Sequence, residues 1–284
     1  MMKIKSIIDQ PYKQPQTDKL VVVNYLRLNR FWKKQSVPLD QALKALALMD
    51  SRHELQIKQS NKVTLLDWLE SDFDCLITQH AELTKLGKAV CSSLWHKQLM
   101  ELIFPTLVAL RWQYNLVPQI DAETIGLDIE SNGRISTISI PNKALYSEDD
   151  EVLDQQLSQL ISLIAQQIAN LFAEQKVNSK RFWGNLSNAL AQGFTWVSQT
   201  NCCVRCEDLS TEITAWLNRI LGNKQQLVEV KSASDNLSYL LFVRRKTCCL
   251  KYKLNKVRMC KTCNLVDEQE QEEFYREKLI CEGK

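Results

Sequence analysis

Glycine and proline are scarce in this chain, seven and six in 284 residues. No glycine-rich dinucleotide fingerprint can be found, and there is no low-complexity linker or internal repeat. Histidine is rarer. His53, His80 and His96 lie far apart with no ligand spacing, so they read as surface or partly buried structural residues. No run reaches the ~18 apolar residues of a membrane span. The nearest, Leu99 to Leu110, is broken by Glu101 and Pro105. The N-terminus lacks an apolar signal core, which makes the cytoplasm the expected compartment. Acid is missing from one stretch in particular. From Arg244 to Cys263 there are eight Lys and Arg and no Asp or Glu, while elsewhere 33 acids face 28 bases.

What is abundant is helical periodicity. Residues 38 to 50 predict a short helix, and 64 to 114 predict several more, kinked or broken at Pro105. The clearest helix covers 148 to 174. Leu153, Leu157, Leu160, Ile161, Ile164, Ile168 and Leu171 form one stripe, and Ser147 followed by four acids marks its start. Its Gln-rich polar face points to core packing, not to a membrane surface. Further helices are predicted over 179 to 198 and 210 to 221, the second stopping at Gly222. IGLDIESNGRISTISIP reads as a hairpin turning at Ser131-Asn132-Gly133. A second strand pair is expected at 227 to 231 and 237 to 244, and the acidic tail from 264 to 284 reads as helical. The fold class is α+β: a helix-dominated body with small hairpin elements. Residues 1–236 are expected to form that body, and 237–284 the last strand, a cysteine motif and the acidic tail.

Ten cysteines are present. In a reducing compartment and a chain this long, clustered thiols suit metal or redox chemistry better than structural disulfides. Cys248, Cys249, Cys260 and Cys263 follow the pattern Cys-Cys-x10-Cys-x2-Cys. Cys260 and Cys263 form a zinc-type knuckle, but adjacent side chains such as Cys248 and Cys249 diverge, and a shared binuclear cluster relaxes that constraint. Iron–sulfur, zinc and unligated thiols all remain open on spacing, with iron–sulfur preferred. The surrounding bases would offset a cluster's negative charge. Cys202, Cys203 and Cys206 make an incomplete ligand set and read as ordinary loop thiols, and Cys281 is not tied to them by any spacing. Cys75 and Cys91 sit in helical patterns as core or boundary thiols.

RRKTCCLKYKLNKVRMCKTC resembles the C-terminal cluster motif of ferric siderophore reductases of the FhuF type, in its cysteine spacing, its leading basic run and Tyr252. RFWGNLSNALAQGF, residues 181 to 194, is similar to that family's Trp-Gly-Asn segment. The loop LKYKLNKVRM departs from the family in having no Pro or Gly, with Asn255 able to take the turn. The resemblance implies a C-terminal four-cysteine [2Fe-2S] motif with Cys248, Cys249, Cys260 and Cys263 as metal ligands. It implies an oxidoreductase for iron acquisition, reducing ferric hydroxamate siderophores by electron transfer, one electron at a time, to release Fe(II). The implied partners are a ferric siderophore and a ferredoxin or flavin-dependent reductase as electron donor, in the cytoplasm or peripherally at the inner membrane, without nucleic acid. Lys251, Lys253 and Arg258 are candidates for docking donor or siderophore, and Trp183 for shaping the siderophore pocket. The alternative is a non-enzymatic, zinc-stabilised basic module that binds nucleic acid or a partner protein.

Overall fold

The computed structural model describes residues 5–6, 37–49, 51–52, 55–58, 63–130, 135–201, 206–234, 239–254 and 259–282. In chain order the elements are β1 (Lys5–Ser6), α1 (Leu39–Met49), β2 (Leu55–Ile57), α2 (Leu65–Ser71), α3 (Phe73–Thr84) and α4 (Lys88–Tyr114). There follow β3 (Leu116–Pro118), β4 (Gly126–Ile129), β5 (Ile135–Ile140), β6 (Ala144–Tyr146) and α5 (Asp150–Glu174). The chain continues through α6 (Ser179–Asn201), α7 (Cys206–Leu221), β7 (Val228–Ser234), β8 (Tyr239–Arg245) and α8 (Glu268–Glu282). The strands form three small sheets, ordered β1-β6-β3, β2-β5-β4 and β7-β8. The β4–β5 hairpin forms antiparallel, with its turn residues outside the described set, and β2 adds to β5 in parallel.

Helix α5 starts where its acids are. Asp149 is the N-cap, its carboxylate accepting from the backbone N–H groups of Glu151 and Val152 at 2.9 and 3.3 Å. Leu153, Leu157, Leu160, Ile161, Ile164 and Ile168 are buried along one face, joined by Phe172. Phe172 meets an aromatic group: Trp68 and Trp95 stack at 4.6 Å, and Phe73 lies edge-on to Phe172 at 5.1 Å.

The expected break at Pro105 does not occur. Helix α4 runs through it without interruption. Proline removes the N–H that would bond to the Glu101 carbonyl, and its ring crowds that carbonyl, but this part of α4 is held against α6 by close packing. Phe104, Pro105, Leu107 and Val108 are all buried. A Cβ on Gly193 of α6 would come within 2.7 Å of the Val108 Cβ and 2.9 Å of the Pro105 Cα. Only glycine allows that approach.

The β7–β8 ribbon is covered on both faces, and alternation along β8 decides what each face receives. Leu241 and Val243 join the main core. Leu240 and Phe242 join a small cluster with Ala233 and Tyr275 of α8, where Phe242 and Tyr275 stack at 4.5 Å. The two arginines that end β8 follow the same rule. Arg244 donates to the Val266 carbonyl at 3.1 Å and the Gln271 side chain at 2.8 Å, near and on α8. Arg245 points to the other face, toward α6, and is only 1% exposed.

Gly193→Ala is expected to lower stability by about 1–3 kcal/mol, the usual range for overpacking a filled contact. Gly87→Ala, where the added methyl meets open space, is expected to move the urea midpoint far less. Equal shifts for the two would show that the α4–α6 approach is not tight.

Candidate functional site

The segment after β8 carries the motif cysteines. Thr247 is buried against Gly184, and a Cβ on that glycine would lie 2.0 Å from the Thr247 Oγ1. The Trp-Gly-Asn segment therefore has a physical role. Its glycine lets the motif loop lie directly on α6, and its asparagine then reaches the buried arginine. Arg245 donates from Nη2 to the Asn185 Oδ1 in a short contact and from Nε to the Thr247 carbonyl at 3.2 Å. Its own backbone N–H bonds to the Thr262 carbonyl at 2.9 Å, tying the two halves of the motif together. Asn185 spends its amide donors on the Ser93 carbonyl at 3.3 Å and on His96 Nδ1 at 2.9 Å. That contact puts the imidazole proton on Nε2. Ser93 Oγ donates to the Cys249 carbonyl at 3.4 Å, so α4 also braces the loop.

Burial, with the Arg245 charge second, pushes the His96 pKa down to about 3, so the ring is neutral. Arg245 is a buried cation whose hydrogen bonds go to an amide and a carbonyl, and its Nη1 has no hydrogen-bond partner among the described residues. Neutral dipoles alone compensate a buried charge poorly.

The neighbouring sulfur pair favours the opposite charge. Cys249 Sγ and Cys260 Sγ lie 3.8 Å apart. The hydrogen bond from Cys260 favours a thiolate at Cys249, with Arg245, the Lys251 backbone N–H and Lys97 helping, and its pKa falls to about 5 despite burial. The same contact pushes the Cys260 thiol up, so the pair holds one proton. Cys249 is buried, whereas Cys260 is partly buried and lines a cavity of about 860 Å³ between α8, β8, the middle of α4 and the C-terminal half of α6.

The other motif sulfurs do not join this pair. Cys248 Sγ accepts the Leu250 N–H at 3.3 Å, and Cys263 Sγ accepts the Leu265 N–H at 3.4 Å. Among the described residues no three His, Cys, Asp or Glu side chains form a group that could hold a metal ion. This overturns the [2Fe-2S] cofactor, and with it the FhuF-type resemblance and one-electron ferric siderophore reduction as the chain's oxidoreductase activity. The iron–sulfur, metal-binding and iron-acquisition features go with them. The zinc-stabilised alternative fails on the same finding. Of the fold class, the helix-dominated α+β part with small sheets stands, but its four-cysteine motif as a cluster site does not. The physical reason is in the adjacent pair: Cys248 and Cys249 diverge, so only Cys249 reaches across to Cys260.

Of the expected docking residues, Lys251 lines the cavity, Lys253 is exposed on the short helical turn Lys251–Lys253, and Arg258 lies outside the described residues. Trp183 is half-buried on α6 beneath Lys224, 4.4 Å from its ring, and does not line the cavity. Cys202 and Cys203 lie outside the described residues, Cys206 opens α7 and Cys281 lies on α8. Cys91 is buried and Cys75 exposed. His96, read from sequence as surface or partly buried, is fully buried. It was missed because one histidine in an apolar helix carries no spacing signal. The sequence reads Arg245 only as one of the eight bases around the cysteine motif, yet strand alternation past Leu241 and Val243 finds its buried face.

No helix among the described residues is long and apolar enough to cross a membrane. No protein-family model matches the sequence, and no curated protein matches it.

His96 gives a pH dependence. Its folded pKa lies below the unfolded value of 6.5, so the unfolded chain takes up the proton first as pH falls. Stability is then lost from about pH 6.5 down toward 3, with a limiting slope of roughly 1.4 kcal/mol per pH unit. Urea midpoints for the protein and for His96→Gln are expected to diverge across that window, with the variant flatter. Parallel curves would show that the imidazole is not held neutral.

Proposed function

We propose that the chain is a thiol-switch protein, in which Cys249 and Cys260 pass between a dithiol and a disulfide. The observation that carries this reading is the 3.8 Å approach of their sulfurs beside the buried Arg245. A bonded pair sits at ~2.05 Å, so a small side-chain movement closes the gap.

The two sulfurs have different tasks. Cys249 holds the stabilised thiolate and is buried behind Cys260, which lines the cavity, so the oxidant we propose is a small peroxide entering by that cavity. With a peroxide, its thiolate attacks one oxygen, the O–O bond breaks, and the leaving oxygen departs as water or alcohol after taking a proton. Cys249 is left as a sulfenic acid. Cys260 attacks that sulfur, its proton and the hydroxyl leave as water, and the disulfide forms. The return step needs an external thiol. Such a thiol enters by the cavity, attacks the accessible Cys260 sulfur and expels the Cys249 thiolate. Cys249 is the better leaving group because its pKa is lowered. A second thiol equivalent then releases Cys260.

Reduced protein treated with hydrogen peroxide and digested under non-reducing conditions is expected to yield a Cys249–Cys260 linked peptide, with Cys248 and Cys263 free. In Cys260→Ser the reaction should stop at a Cys249 sulfenic acid that dimedone traps. Recovery of all four thiols unmodified, or a link that joins Cys260 to Cys263 instead, would refute the assignment.

A further inference from the structure

Closing the disulfide changes the charge around Arg245 as well as the bonding of the sulfurs. In the reduced pair Cys249 carries a thiolate, whereas in the disulfide neither sulfur is charged. Arg245 keeps its charge in both states, because a guanidinium does not lose its proton in a protein. It is 1% exposed, and its described side-chain partners are the Asn185 amide oxygen and the Thr247 carbonyl. Neither carries charge, and Nη1 has no hydrogen-bond partner among the described residues.

Both halves of the motif fix where this cation sits. Nε is tied to Thr247, shortly before Cys249, and the Arg245 backbone N–H to Thr262, between Cys260 and Cys263. The hydrogen bond between the sulfurs acts most strongly on each of them, and the Arg245 charge favours the thiolate on both. The other cation acting on Cys249 is Lys97, which is already paired with Glu101. Reduction therefore gives the buried guanidinium an anion, and oxidation takes it away. A buried cation left with neutral dipoles alone costs free energy. That cost falls on the disulfide state.

We infer that Arg245 is a positioning residue that sets the poise of the Cys249–Cys260 couple, favouring the dithiol and making the disulfide easy to reduce. The inference rests on the thiol-switch reading and adds what tunes it. The oxidised chain gives up its disulfide to external thiols instead of keeping it as a structural link. In that reaction two thiols of the reductant join as a disulfide, and their two electrons break the Cys249–Cys260 bond. One of their protons goes to Cys260 and the other to solvent, which leaves Cys249 as the thiolate.

The test is the equilibrium of the full chain with reduced and oxidised glutathione at neutral pH, read by thiol alkylation and peptide mass. Arg245→Met is expected to lower the equilibrium constant for reduction about tenfold or more, the scale of one nearby opposite charge. Arg245→Lys keeps the charge but loses the forked hydrogen bonds, and is expected to stay within about threefold of the parent chain. A merely structural role would shift both variants alike. Asn185→Asp sets a carboxylate on Arg245 in place of the amide, and is expected to shift the constant in the same direction as Arg245→Met. It keeps the test valid if Arg245→Met unfolds, which melting curves would reveal. An unchanged constant in folded Arg245→Met or Asn185→Asp, or an equal loss in Arg245→Lys, would overturn the inference while leaving the switch intact. If oxidised glutathione forms no Cys249–Cys260 link in the parent chain, the switch reading itself fails and the inference falls with it.

Discussion

A guanidinium taken out of water dictates the arrangement around the motif cysteines. Arg245 is buried because β8 alternates, with its odd positions from Leu241 onward facing α6. Once there, it must be hydrogen-bonded and its charge must be answered. Asn185 supplies an oxygen and Thr247 a carbonyl. Neither supplies charge. The negative partner is the sulfur pair, whose single thiolate the arginine favours. The Gly184 contact with Thr247 follows from the same requirement, since the motif loop has to lie on the helix for these groups to meet. Even the neutral His96 fits, because a second cation beside Arg245 would worsen the imbalance.

The fold was largely legible from pattern. The Leu153 to Ile168 stripe, the hairpin across residues 126 to 140 and the glycine stop after α7 all act locally, through period, turn chemistry and capping. The continuation of α4 through Pro105 was not legible, because its support is not local. Gly193 and α6 pack closely against this part of α4 from outside the helix, and no feature near Pro105 in the sequence announces that support.

The site was half legible. Sequence drew attention to the correct loop and to the Trp-Gly-Asn segment, but it grouped four sulfurs where the structure pairs two. Spacing counts residues along the chain and does not report side-chain direction, and direction separates Cys248 from Cys249. The basic run was misjudged for a similar reason. Charge composition treats Arg244, Arg245 and Lys251 alike. The structure puts them in different settings: one bonds near α8, one is buried beside thiols, and one lines a cavity.

The most direct test of the account is the thiolate absorbance of the fully reduced protein followed as pH rises from acid. The hydrogen bond from Cys260, with the buried arginine helping, favours one thiolate per chain near pH 5, well below the ordinary thiol range, and Cys249→Ser is expected to lose this early step. If no thiolate forms until the ordinary thiol range near ~8.5, Arg245 has no partner on sulfur and the account of the site is wrong.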